Sequence, residues 1–173
     1  YNLGLHEYRS YPMTPLLIAG IDPGTSRIGY ALVRGGGPTP ELLMAETITI
    51  PPKLTPADRL VALAAAINER LRRDRPAAVA VEKLYFSRNA KTALAVAEAR
   101  GIILLTARGL VPSIWEYAPL TVKLAVTGYG RADKAQVLKG VKAILPRVML
   151  PRGDDAIDAI AIALTALYTR RVA

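Results

Sequence analysis

Leu16-Leu17-Ile18-Ala19-Gly20-Ile21-Asp22-Pro23-Gly24-Thr25-Ser26-Arg27-Ile28-Gly29-Tyr30-Ala31-Leu32-Val33 is the stretch from which the fold can be read. A continuous apolar run from Leu16 to Ile21 ends on an acid, Asp22. Pro23-Gly24-Thr25-Ser26 then supplies turn chemistry, and Ile28 to Val33 forms a second apolar run, stopped by Gly35-Gly36-Gly37. Short apolar runs bounded by turn residues read as buried strands. Glu41 to Ile50 reads as a third strand, with Thr47 and Thr49 alternating against Ile48 and Ile50. Two strands across a tight turn and then a third predict an antiparallel meander.

Working outward, Pro51-Pro52 ends the meander, and Thr55-Pro56 with Asp58 opens a helix whose apolar stripe is Leu60, Leu63, Ala64, Ile67 and Leu71. After the basic stretch Arg70 to Arg75 and Pro76, Ala77 to Val81 is a fully apolar strand ending in Glu82. A strand that follows a crossover helix is expected to add in parallel. Helices are expected over Asn89 to Gly109, Leu120 to Val126, Lys134 to Leu145 and Asp154 to Arg170, with a further strand over Ser113 to Tyr117. The last helix carries Ile157, Ile160, Ala161, Leu164 and Tyr168 as its stripe. The expected fold is α/β: a mixed sheet, antiparallel in its first three strands and parallel after them, with helices on both faces. No repeat and no dividing linker is visible. Residues 1–12 read as a tag or disordered extension, and 13–173 as one domain.

Composition narrows the chemistry. The 173 residues hold 23 Lys and Arg against 14 Asp and Glu, a net charge of +9, which suits a polyanionic partner. Cys is absent, and the one histidine, His6, lies in the N-terminal extension. Disulfides, thiolate nucleophiles and thiolate zinc sites are thereby excluded. No apolar run is long enough to span a bilayer and the first residues do not read as a signal peptide, so the expected setting is cytoplasmic.

Four acids stand in unusual places. Asp22 and Glu82 each end an apolar strand, and Asp155 and Asp158 lie three apart, about 60° around the axis, at the start of an apolar helix. Singly, each has an ordinary explanation: an Asx-turn, a strand end reaching water, or a helix cap. Jointly, carboxylates from three elements of a basic chain suggest an all-oxygen site for hard cations, Mg²⁺ or Mn²⁺. Two such ions about 4 Å apart activate a water and stabilise a leaving oxygen at phosphorus. Spacing leaves the helix pair open, because Asp154 and Asp158 also share a face at i, i+4.

Gly20-Ile21-Asp22-Pro23-Gly24, Val81-Glu82, Gly128-Tyr129-Gly130-Arg131-Ala132-Asp133-Lys134 and Asp155-Ala156-Ile157-Asp158-Ala159-Ile160-Ala161 occur in that order. In this order they resemble the RuvC family of Holliday-junction resolvases, from about Leu16 to Tyr168. The resemblance implies a ribonuclease-H-like fold, a homodimer, and Mg²⁺-dependent symmetric nicking of four-way junction DNA during recombination and repair. It implies Asp22, Glu82, Asp155 and Asp158 as the catalytic and metal-holding acids of a site with two ions. Alignment, not helix geometry, selects Asp155 over Asp154. Lys123 and Lys134 match basic positions near the scissile phosphate. In the segment after Glu82, Tyr85 or Phe86 would stack on unpaired bases, with Lys83, Arg88 and Asn89 on DNA. A branch-migration helicase is a further partner that the resemblance allows.

Lys83 beside the glutamate and the additional acid Asp154 depart from the family pattern. The Asp22 to Ser26 turn is also similar to the phosphate turn of actin and sugar-kinase ATPases, a reading that needs a second lobe. A ribonuclease-H-fold nuclease acting on RNA or flaps, and a junction-binding protein that does not cut, complete the alternatives. With the four acids set aside, 23 basic residues face 10 remaining acidic ones, a balance of +13. The expectation is a basic surface around a small acidic hole.

Overall fold

A computed structural model of the chain describes residues 15–84 and 90–170. Strands β1 (Leu17–Asp22), β2 (Arg27–Arg34) and β3 (Glu41–Thr49) form the expected meander, followed by α1 (Pro56–Asp74), β4 (Ala78–Glu82), α2 (Ala90–Arg108) and β5 (Ser113–Tyr117). Three helices close the chain: α3 (Pro119–Thr127), α4 (Lys134–Ile144) and α5 (Asp154–Arg170). The sheet order is β3-β2-β1-β4-β5. β1 and β3 pair antiparallel with β2, whereas β4 joins β1 in parallel and β5 joins β4 in parallel. The proposed tag or extension, residues 1–12, lies outside the described residues.

Local chemistry sets the element boundaries. The Thr55 hydroxyl accepts from the Asp58 N–H at 3.2 Å, and Pro56 fits the first turn, where no donor is needed. α1 stops at Arg75, in the left-handed region at φ 46°, with Pro76 barring continuation. Asp133 and Gln136 close a reciprocal capping box that makes Lys134 the first residue of α4.

Strand alternation divides the core in two. Ile18, Ala31, Val33 and Ala80 pack with residues of α3, α4 and α5 on one face, while Ala19, Ile21, Ile28, Tyr30 and Val79 pack with α1 and α2 on the other. α5 is buried almost all round between Ala156 and Leu167, broader than the one-sided stripe expected, because it lies across the middle of the sheet under α3 and α4. Among its buried residues the one polar group, Thr165, is satisfied by the Ala161 carbonyl at 2.7 Å.

Two glycines let α5 lie this low. A Cβ on Gly20 would collide with the Ala159 carbonyl oxygen and stand 2.9 Å from the Ala163 Cβ. One on Gly29 would collide with the Asp155 carbonyl oxygen and stand 3.0 Å from the Ala159 Cβ. The helix backbone thus rests on strand backbone, with alanines facing glycines. That close approach fixes the position of α5 along β1 and β2. Among the described residues no helix is long and apolar enough to cross a membrane.

Candidate active site

Asp22 and Glu82 sit at the carboxyl ends of neighbouring parallel strands, one position beyond the Ile21–Val81 pair. Alternation turns both toward α5, since Ile18 and Ala80 belong to the core on that face. Asp22 is paired across the sheet with Gly29, and Gly29 carries the Asp155 backbone. Asp158 follows one helical turn later, and all four acids are half-buried. The chain therefore brings three separate elements to one end of the sheet, and the helix-on-glycine contact sets their spacing.

The electrostatics show this convergence. Burial, reinforced by the charges of Asp158, Glu82 and Asp155, pushes the Asp22 carboxyl from 3.8 to about 8. Burial and the charge of Asp158 push Glu82 from 4.5 to about 7, with Lys123 opposing. Asp158 is also raised, first by burial. Carboxyls buried and crowded in this way resist ionisation, a cost that a bound cation would relieve.

Lys134 and Lys123 both reach the cluster. The Lys134 ammonium donates to Asp154 Oδ2 at 2.8 Å, and its charge lowers Asp22 and Asp158; that of Lys123 lowers Glu82 and Asp158. The two acids that helical spacing leaves equivalent differ in exposure and partner. Asp154 is 68% exposed and turned to Lys134, whereas Asp155 is 25% exposed over the sheet. Lys83 is exposed, and its N–H donates to the Tyr117 carbonyl at 2.7 Å. Tyr85, Phe86, Arg88 and Asn89 lie outside the described residues.

Three contributors carried no pattern in the sequence. Arg27 Nε donates to Asp155 Oδ2 at 2.8 Å, and its Nη2 forms an ion pair with the same oxygen at 2.7 Å. Arg100, from α2, donates to the Glu82 carbonyl at 3.3 Å and pairs with Glu116, so it braces the strand end that carries Glu82. Gly29 sets the height of α5.

The donor set fits a hard divalent cation: four carboxylates, no sulfur, no imidazole. Among the described residues no three acids stand close enough to grip an ion between them, and Asp155 is engaged by Arg27 instead. The chemistry of the donors and their mutual repulsion supply the fit.

A family model described as crossover junction endodeoxyribonuclease RuvC matches residues 18–166, almost the whole described chain. The chain belongs to the RuvC family. A curated RuvC relative from Rubrobacter xylanophilus is 43% identical over 92% of this chain and 89% of its own, and one from Moorella thermoacetica is 46% identical over 86% and 89%. The Thermus thermophilus RuvC structure is similar at a TM-score of 0.79 and 38% identity, covering 91% of this chain and 97% of that one. The same protein in complex with Holliday junction substrate gives 0.82 and 38%, over 91% and 96%. A yeast mitochondrial Holliday junction resolvase shares the fold at 0.66 and 12% identity. The ribonuclease-H-like reading of the sheet thus holds, and in this RuvC chain the carboxyl ends of β1 and β4 form the end of the sheet where the acids meet.

Proposed function

We propose that the chain resolves four-way DNA junctions by paired, symmetric nicks, through metal-dependent phosphodiester hydrolysis in recombination and repair. The observation that carries this reading is the similarity to Thermus thermophilus RuvC in complex with Holliday junction substrate, joined to four carboxylates meeting at one end of the same sheet. Asp22, Glu82, Asp155 and Asp158 would hold two Mg²⁺ ions, with Mn²⁺ able to replace them. Bound divalent ions supply a nucleophilic water and stabilise the leaving oxygen. The residues do the rest. Glu82 and Asp22, at strand ends, present oxygens from a rigid base, and Asp155 and Asp158 close the set from above. Lys134 and Lys123 meet the scissile phosphate, and Lys83, Arg88 and Asn89 hold the backbone beside it. Tyr85 or Phe86 stacks on bases freed at the crossover.

Residues 13–173 act as one nuclease domain in this reading, and the setting is cytoplasmic. A two-fold substrate calls for a two-fold enzyme, and α2 offers a face for it. Leu94 and Leu105 are 66% and 73% exposed, with Gly101 between them on the same stripe and open space around it. Charging that stripe with Leu105→Glu is expected to shift a dimer to monomer in analytical ultracentrifugation with little change in melting temperature. An unchanged sedimentation coefficient would place the interface elsewhere.

The substrate is tested by comparing four-way junction, flap, linear duplex and RNA–DNA hybrid in Mg²⁺. Paired nicks at opposed positions of the junction, with at least about tenfold slower cutting of the others, is the expected result. Preferential cutting of the hybrid or flap, or undiminished cutting in EDTA, would overturn it.

A further inference from the structure

Arg27 opens β2, faces Thr49 across the sheet, and reaches back over the start of α5 to Asp155. Its Nε hydrogen bond and its Nη2 ion pair both fall on one oxygen, Oδ2. An oxygen with two guanidinium nitrogens within 2.8 Å has no room left for a metal ion on the same side. The other cations near the cluster are committed differently: Lys134 hydrogen-bonds Asp154, and the charge of Lys123 acts on Glu82 and Asp158. The Arg27 side chain is 61% exposed, so the pair borders water and can open. Gly153 leaves that side clear, since even an added Cβ there would stand 3.8 Å from Arg27 Nη2.

We propose that Arg27 is the resident counter-cation of Asp155, held at the edge of the acid cluster and displaced from Oδ2 when a divalent ion enters. This rests on the reading of the four acids as metal ligands. Arg27 is in this view a positioning residue. It parks Asp155 on the protein's own charge, lowers the repulsion felt by Asp22, and sets a threshold that the ion must exceed. An exposed pair of this kind shifts an equilibrium by about fivefold at most, so the threshold is modest and the exchange reversible.

Calorimetric titration of Mn²⁺ into the full chain without DNA tests it, on wild type, Arg27→Gln, Asp155→Asn and the double variant. Arg27→Gln is expected to bind Mn²⁺ about three- to fivefold more tightly than wild type. In the Asp155→Asn background, removing Arg27 is expected to change the affinity less than about 1.5-fold, because the pair is already gone. Equal or weaker Mn²⁺ binding by Arg27→Gln overturns the proposal. So does the same gain in both backgrounds, which would reflect only the loss of a nearby positive charge. Wild type that takes up no Mn²⁺ overturns the metal reading itself. Melting curves, with the Mn²⁺-induced rise larger in Arg27→Gln than in wild type, check the same exchange in a second measurement.

Discussion

Asp22→Asn is expected to slow junction cleavage about 10³-fold while leaving junction binding in EDTA within about threefold of wild type. The loss follows from removing the strand-end oxygen that faces Glu82 and both helix acids, at a site where preorganised charge carries the chemistry. Binding is expected to survive because the substitution leaves the proposed phosphate contacts, Lys123 and Lys134 among them, in place. The same change is expected to stabilise the metal-free protein at alkaline pH. The wild-type carboxyl titrates near 3.8 when unfolded and about 8 when folded. Between those values the native chain keeps a proton that the unfolded chain has released, so stability falls as pH rises and the deficit is complete above about 8. Below 3.8 both states are protonated and no deficit exists. The full shift corresponds to roughly 6 kcal/mol as an upper bound. Screening by water at a half-buried carboxylate reduces this to roughly 2 kcal/mol, or about 6 °C in melting temperature for a chain of this length. The gap should narrow toward pH 4, and Glu82 keeps a shallower slope of the same sign in the variant. Added Mn²⁺ should favour wild type instead. Cleavage within tenfold of wild type, or a variant melting below wild type at pH 9, would refute the assignment of Asp22.

How legible this site was depends on which physical effect fixes each part. The meander and the parallel strand β4 were visible because apolar runs and turn residues are local signals, and Asp22 and Glu82 stand out as acids at the ends of such runs. The last helix was visible as a helix, but its nearly complete burial was not, since that depends on where α3 and α4 come to rest. Asp154 and Asp155 are equivalent by spacing with Asp158. They differ because Gly29 receives the Asp155 carbonyl, leaving Asp154 turned outward to Lys134. Arg27 is one of 23 basic residues, and nothing in its neighbours marks it as the partner of an acid 128 residues away. Charge counting had suggested a basic surface around an acidic hole. Arg27, Lys123 and Lys134 refine that picture, because cations also line the hole itself.

Gly29→Ala is expected to destabilise the protein by about 3 kcal/mol, roughly 9 °C in melting temperature, and to slow cleavage about 10²-fold in what remains folded. Gly29 has no unusual φ, so the cost is one of space. The added methyl would meet the Asp155 carbonyl oxygen and the Ala159 Cβ, both belonging to α5. A flexible side chain could swing aside, but helix backbone cannot, so α5 must lift from β2. Lifting it moves Asp155 and Asp158 away from Asp22, and an error of about 1 Å in such a site costs about 10²-fold. Gly37→Ala is the control: its Cβ would find the Thr39 carbonyl at an ordinary 3.6 Å, and the variant should melt and cut as wild type does. Junction binding by Gly29→Ala at a temperature well below its transition should stay close to wild type, separating a displaced site from a lost fold. If Gly29→Ala melts within 2 °C of wild type, or cuts at the wild-type rate, the glycine contact does not set the height of α5.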